Sequence, residues 1–175
     1  MIAHPHDMAR FSAWANQRLH GACAQLPAGE LERDRDAFFD SILGTLNHIL
    51  LVDLLYRERI EGRDGSRFGA LNEILHHDLG ALTEAQAASD AWYVDLLRDL
   101  GEEALREPIA FTTLLDEPEH WKVPRWVYYS NLFQHQVHHR GQEHNMLSQA
   151  GIDPPSVGFI EWQIELGEGI ERRRA

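Results

Sequence analysis

Three of the eleven histidines crowd one turn of a predicted helix near the carboxyl end of the chain: His135, His138 and His139. Helix residues i and i+4 lie one turn apart on the same face, so His135 and His139 can bind one metal ion together. His138 is also within a turn of His135, and spacing alone leaves a choice. The apolar stripe of this helix favours His135 and His139, because it includes His139 and borders His135 while His138 points outward. The stripe consists of Tyr128, Leu132, Met146 and Ala150.

A third ligand must come from another helix, and His48 is the candidate. Leu51, Val52 and Leu55 follow it at i+3, i+4 and i+7, so we expect its side chain to face the interior of a helix bundle. An unsatisfied imidazole would be costly there. Three neutral imidazoles and a water form an open site for a divalent metal. We expect zinc or nickel, with iron, manganese and cobalt as further options.

Two other interpretations of these histidines stay open at this point. His48 can be a buried core residue with ordinary hydrogen bonds, and an i, i+4 pair on an apolar stripe also occurs without a metal.

A zinc-bound water would have its pKa lowered to about 7, which makes hydroxide available for hydrolysis. However, Gln136 follows His135, so the glutamate base of the HExxH metalloproteases is missing.

Composition restricts the class of protein around these residues. The chain has 175 residues, which we interpret as one domain spanning residues 1–175. A net charge of -12 repels phosphate backbones and anionic lipid, so we expect no nucleic-acid partner. The longest fully apolar runs are four residues, so we expect no membrane segment. Cys23 is the only cysteine and the start of the chain lacks a signal-peptide pattern, so we expect a cytoplasmic protein.

Helical periodicity predicts four long helices, which are typical of a helix bundle. Asp7 is the expected N-cap of the first helix, and Pro124 suits the first turn of the fourth. β-branched and aromatic residues on both sides of the turn Asp116-Glu117-Pro118 predict a short β-hairpin before the fourth helix. The predicted long helices are residues 8–26, 38–61, 71–100 and 125–150, and a short helix follows over residues 159–166.

Several segments of the chain are similar to the DinB family of bacterial four-helix-bundle proteins. They are Trp14-Ala15-Asn16, the run SILGTLNHIL at residues 41–50, and the run HQVHHRGQ at residues 135–142. The run QAGIDPP at residues 149–155 matches the family's usual end of the fourth helix. The resemblance covers nearly the whole chain, and it implies an all-α four-helix bundle of the DinB/YfiT-like type.

The resemblance also implies a function. It implies a metal held by His48, His135 and His139, a homodimer, and kinship with thiol-dependent transferases that use mycothiol or bacillithiol, including a maleylpyruvate isomerase. In such relatives the metal activates a low-molecular-weight thiol as thiolate. One departure is that Ser156-Val157-Gly158-Phe159 stands where many members carry a segment like Thr-Asp-Leu. The DNA-damage induction in the family's name concerns regulation and does not imply DNA binding.

Other polar residues receive weaker functional interpretations. We expect Asp53 to be exposed or interfacial, Glu143 to be a solvated surface carboxylate, and Cys23 to be a buried thiol. Arg140 is either an anion-binding residue or a member of an ion pair at a bundle or dimer surface. Gly141, in the middle of a helix, suggests the close approach of another helix.

The sequence therefore favours a metal-dependent enzyme that activates water or a low-molecular-weight thiol and acts on a small molecule. Hydrolysis and thiol transfer stay equally open, since no general base is identifiable. The alternatives are a non-catalytic metal-binding or stress-response dimer, and a purely structural helical bundle. A pocket beside an open metal site would favour the enzyme, and a closed four-ligand site would favour the non-catalytic metal-binding dimer. A His48 that lies far from His139 would favour the purely structural bundle.

Overall fold

The computed structural model describes residues 4–114 and 117–167. Four long helices, two short helices and one β-hairpin form the described part, which confirms the predicted all-α bundle with a hairpin before the last long helix. Leu115 and Asp116, which the hairpin prediction included, lie outside the described residues. The elements are α1 Pro5–Cys23, α2 Ile42–Ile60, α3 Leu79–Leu97, α4 Glu102–Arg106, β1 Pro108–Thr112, β2 His120–Pro124, α5 Arg125–Gln149 and α6 Phe159–Leu166.

The four long helices are arranged in a ring. Helix α1 packs against α3 and α5, and α2 packs against the same two helices. Strands β1 and β2 pair antiparallel, with Ile109 opposite Val123, and the hairpin lies against α2 and α5. Because α2 and α5 are neighbours in the ring, the helix of His48 lies beside the helix of His135 and His139. None of the helices in the described ranges combines the length and the apolar character needed to cross a bilayer.

The structure corrects the predicted starts of three helices, and in each case a capping side chain is the reason. Helix α2 begins at Ile42 and not at residue 38, because the Ser41 hydroxyl accepts a hydrogen bond from the Gly44 backbone N at 3.0 Å. Helix α3 begins at Leu79 and not at residue 71, because the Asp78 carboxylate accepts from the Ala81 backbone N at 2.8 Å. His4, not Asp7, caps α1, which ends at Cys23.

Two apolar clusters fill the bundle, and every long helix also carries buried polar residues. One cluster contains Leu51, Leu97 and Leu132, and the other contains Leu19, Leu46 and Leu147. On α1, α3 and α5, polar residues stand between the positions that belong to the two clusters, and on α2 Asp53 stands among positions of the first cluster. We call this set the polar layer; its members are Asn16, Asp53, Gln86, Asp90, Gln136 and Arg140, all of them buried.

Candidate metal centre

Helices α2 and α5 bring together the three histidines that the sequence singled out. One ring nitrogen from each of His48, His135 and His139 lies within 4.8 Å of the others, so the three side chains could hold a metal ion. The three ring centroids are 4.3 to 4.9 Å apart. His138 is exposed and does not join this group, in agreement with the face argument.

His48 is held in one orientation by contacts with the segments that precede and follow α2 in the chain. Its Nδ1 donates a hydrogen bond to the carbonyl oxygen of Leu71 at 2.7 Å. The ring of Phe39 stacks on the imidazole with 3.8 Å between centroids. With the proton on Nδ1, the Nε2 atom of His48 carries a lone pair, and this atom lies 2.9 Å from Nε2 of His135.

The loop that supplies the Leu71 carbonyl is anchored by Asn47, the residue before His48. The Asn47 Oδ1 atom accepts hydrogen bonds from the backbone N atoms of Leu75 and His76 at 2.8 and 2.9 Å. Its Nδ2 atom donates to the carbonyl oxygen of His76 at 2.9 Å, and also to that of Leu43. The segment from residue 71 to residue 78 therefore lies against α2 as a loop and not as the predicted helical turn.

His139 is oriented by a residue on the next turn of its own helix. Its Nδ1 donates to Oε1 of Gln142 at 2.8 Å, and the Gln142 amide donates in turn to Nε2 of His138 at 3.3 Å. The lone pair of His139 is therefore on Nε2, as in His48. A metal-binding histidine usually donates its second ring N–H to a carbonyl or carboxylate oxygen in this way.

The donor set fits a divalent cation. Because Nε2 of His48 carries a lone pair, its 2.9 Å approach to Nε2 of His135 requires either a proton on the His135 nitrogen or a cation between the two atoms. Two nitrogen ligands of a tetrahedral zinc ion are about 3.3 Å apart, so a small shift of His135 would suffice. The Nδ1 atom of His135 is buried and has no hydrogen-bond partner among the described residues. No cysteine or carboxylate within residues 4–114 and 117–167 joins the group, so such a site would keep an open coordination position.

Burial shifts the pKa of all three histidines toward the uncharged form that metal binding requires. Burial lowers the pKa of His48 to about 4, against the effect of its bond to Leu71. Burial and then the neighbouring His139 lower the pKa of His135 to about 3. Burial also lowers the pKa of His139, although the bond to Gln142 opposes this effect.

Two cavities meet at the histidines and share His48, Leu71 and His135 as lining residues. The first, of about 410 Å³, is largely apolar and extends between α2, α5 and the hairpin as far as Arg59. The second, of about 650 Å³, opens on the other side, where Phe38, Phe39 and Gln142 line it. Phe38 is 84% exposed and stands at the rim of this second cavity. The centre is therefore accessible to a small molecule.

The polar layer lies next to the histidines, because Gln136 and Arg140 each follow one of them in α5. Arg140 is buried and donates to Ser12 Oγ at 3.2 Å and Asn16 Oδ1 at 3.1 Å. This corrects its interpretation as a member of a surface ion pair, and Arg140 does not line either of the two cavities at the histidines.

The expected exposure of Asp53 was also wrong. The residue is only 2% exposed, and its two carboxylate oxygens accept hydrogen bonds from Gln86 and Gln136. Burial, then the charge of Asp90, raises the pKa of Asp53 to about 7. Nearly every residue of the first half of α2 is buried, so a projection that assumes one buried face misplaces Asp53.

Three further interpretations can be compared with the structure. Cys23 is buried, as predicted, and its thiol donates to Glu143 Oε1 at 3.4 Å. Glu143 is 1% exposed, which corrects its prediction as a surface carboxylate. A methyl group at Gly141 would meet no atom within 4 Å, so no other helix of the described chain approaches this glycine.

The comparison with known protein families agrees with the resemblance in the motifs. A search of curated proteins found no match. The family model of the DinB family matches residues 1–172, which is nearly the whole chain. Together with the helical bundle and its three adjacent histidines, this match confirms the predicted family, and the chain belongs to the DinB family.

Proposed function

We propose that this protein is a divalent-metal-dependent enzyme in which His48, His135 and His139 bind the metal. The observation that carries the proposal is the convergence of three neutral imidazoles, two of them with Nδ1 engaged by an oxygen acceptor, at the junction of two cavities. When bound, the metal would supply a Lewis acid that activates water or a low-molecular-weight thiol.

The residues around the histidines have separate roles in this proposal. The Leu71 carbonyl holds the imidazole of His48, and Gln142 holds that of His139, so that Nε2 of each ring would face the metal. Phe39, stacked on His48, excludes water from one side of that ring. The apolar cavity between α2, α5 and the hairpin binds the substrate beside His48 and His135.

An open position and two adjoining cavities favour an enzyme over a purely metal-storing protein. A structural zinc site has four protein ligands, whereas a catalytic site has three and leaves one position for water or substrate. Three histidines with no fourth protein donor among the described residues match the second arrangement.

The experiment that tests the ligand set is elemental analysis of untagged protein after reconstitution with zinc or nickel. We expect about one metal per chain in the wild type and in His138→Ala, and almost none in His48→Ala and His139→Ala. His138 is the matched control because it lies beside His139 but points to solvent. Equal losses in all three variants, or no metal in the wild type, would contradict the site.

Catalysis requires its own assay with the metal-loaded protein. Hydrolysis of p-nitrophenyl acetate tests water activation, and conjugation of monochlorobimane with a low-molecular-weight thiol tests thiol transfer. We expect one of the two rates to be lost with the metal in His139→Ala and retained in His138→Ala. Rates that do not depend on metal loading would exclude a catalytic role for the ion in these reactions.

A further inference from the structure

The apolar cavity beside the histidines extends to Arg59, an arginine without an ion-pair partner among the described residues. Arg59 is on α2, eleven residues after His48, and Val52, Leu55 and Tyr56 line the cavity between them. Eleven residues correspond to about 16 Å along a helix axis. The cavity therefore extends along one face of α2, with imidazoles near one end and a guanidinium at the other.

Arg59 is only 8% exposed, and the described residues that surround it fix its position without pairing its charge. One nitrogen donates to the carbonyl oxygen of Thr112 in β1 at 2.7 Å, and the guanidinium lies over the ring of Phe111 at 4.6 Å. Its Nε is buried and has no hydrogen-bond partner among the described residues. Besides the Thr112 carbonyl, the Tyr128 hydroxyl can accept a hydrogen bond from the guanidinium, so its five N–H donors are not all satisfied by the described residues and none of these acceptors is charged.

The neighbouring arginines differ from Arg59 in their partners. Arg57 pairs with Glu61 at 3.1 Å, and Arg63 pairs with Glu58 at 2.8 Å. Within residues 4–114 and 117–167, no carboxylate lies within ion-pair distance of Arg59. A buried, unpaired cation is costly, and a bound anion would remove this cost.

We propose that Arg59 is an anion-binding subsite and that the substrate is an elongated apolar molecule with a carboxylate several bonds away from its reacting group. The inference rests on the proposed function, because it names the substrate class of the same cavity. Arg59 binds the carboxylate, Val52, Leu55 and Tyr56 contact the apolar part, and the other end of the molecule reaches His48 and His135. In a chain of net charge -12, such a cation also distinguishes an anionic substrate from a neutral one.

The test compares two probes of the same shape, 4-phenylbutyrate and 4-phenylbutanol, by calorimetric titration of metal-free protein. Without metal, the carboxylate has no ion to bind at the histidines. We expect the wild type to bind the carboxylate at least about tenfold more tightly than the alcohol. Arg59→Gln should lose this preference while it still binds the alcohol. Arg57→Gln, on the same helix, should keep the preference.

Two results would overturn the subsite: equal binding of both probes by the wild type, or an unchanged preference in Arg59→Gln. If Arg59→Gln does not fold, the Nε–H resonance of Arg59 in the wild type gives the answer by NMR. It should shift with 4-phenylbutyrate and not with 4-phenylbutanol, and the absence of a shift would overturn the proposal. Because these titrations use metal-free protein, they can succeed or fail independently of the metal analysis.

Discussion

The Nε2 atoms of His48 and His135 lie 2.9 Å apart, although 87 positions separate the two residues in the chain. This contact joins α2 to α5, and the two residues belong to both cavities that meet at the centre. An ion bound there would therefore connect distant parts of the chain in the folded state only.

The first prediction is that metal removal lowers thermal stability. A ligand that binds only the folded state, at about one hundred times its dissociation constant, adds about 2.7 kcal/mol to the free energy of unfolding. For a chain of this size we expect the Tm to fall by about 5–10 °C with a chelator. His138→Ala should respond like the wild type, and His139→Ala should not respond. A Tm that stays constant while elemental analysis confirms metal loss would contradict the prediction.

The second prediction concerns Gln142, which accepts the Nδ1 hydrogen of His139. Loss of such a partner commonly weakens metal binding about 10–100-fold, because the ring loses its orientation. We expect this loss in Gln142→Ala and less of it in Gln142→Glu, which keeps an oxygen acceptor. A competitive titration with a zinc indicator measures it. Gln134→Ala, an exposed change on the same helix, is the control, and equal affinities in both alanine variants would argue against the role of Gln142.

The third prediction is that Asn47 stabilises the fold by holding the loop of residues 71–78. Asn47→Ala leaves the partly buried backbone N atoms of Leu75 and His76 without their acceptor. We expect a loss of about 2–4 kcal/mol in the free energy of unfolding, measured with urea. Asn145→Ala, an exposed change on α5, should have almost no effect. Similar unfolding midpoints for the two variants would show that the loop does not need this anchor.

The fourth prediction concerns Glu143, because burial raises the pKa of its carboxyl group from 4.5 to about 7. The folded state favours the protonated acid. The protonation of Glu143 therefore contributes fully to the free energy of unfolding below about pH 4.5, and this contribution is lost as the pH rises through about 7. Above that pH, the cost of ionisation approaches about 3 kcal/mol. Glu143→Gln should therefore be more stable than the wild type at pH 8, and the difference should disappear near pH 4.5.

Urea unfolding at the two pH values measures the effect of Glu143→Gln. The exposed Glu84→Gln is the control and should follow the wild type at both. A gain for Glu143→Gln that is the same at pH 4.5 and pH 8 would show that packing, and not ionisation, is the cause.

The fifth prediction compares two helical glycines. A methyl group at Gly44 would collide with the backbone carbonyl oxygen of Phe39, whose ring stacks on His48. A methyl group at Gly141 would meet nothing within 4 Å. We expect Gly44→Ala to destabilise the protein and weaken metal binding. Gly141→Ala should add up to about 1 kcal/mol by improved helix propensity. Thermal unfolding separates the two, and a loss of stability in Gly141→Ala would contradict the open surroundings of that residue.

Periodicity predicted the helices and the inward-facing positions of His48, His135 and His139, because each depends on spacing along one helix. The errors arise where another part of the chain determines where a helix begins or whether a residue is buried. The Asp78 carboxylate caps the start of α3, so the helix begins at Leu79 although the periodic pattern begins at residue 71. Asp53 was misplaced because α2 is buried on several sides. The Leu71 carbonyl has no sequence signal, since any residue supplies one. Self-association and cytoplasmic location stay predictions.

The polar layer constrains how the helices can slide along one another. Burial of apolar side chains is non-directional, so it opposes an axial shift of one helical turn, about 5.4 Å, less strictly than directional hydrogen bonds do. Such a shift of α5 would separate Arg140 from Ser12 and Asn16 and leave its charge buried without acceptors. The same displacement would carry His135 away from His48. One axial alignment of α5 therefore satisfies both the hydrogen bonds at the centre of the bundle and the convergence of the histidines.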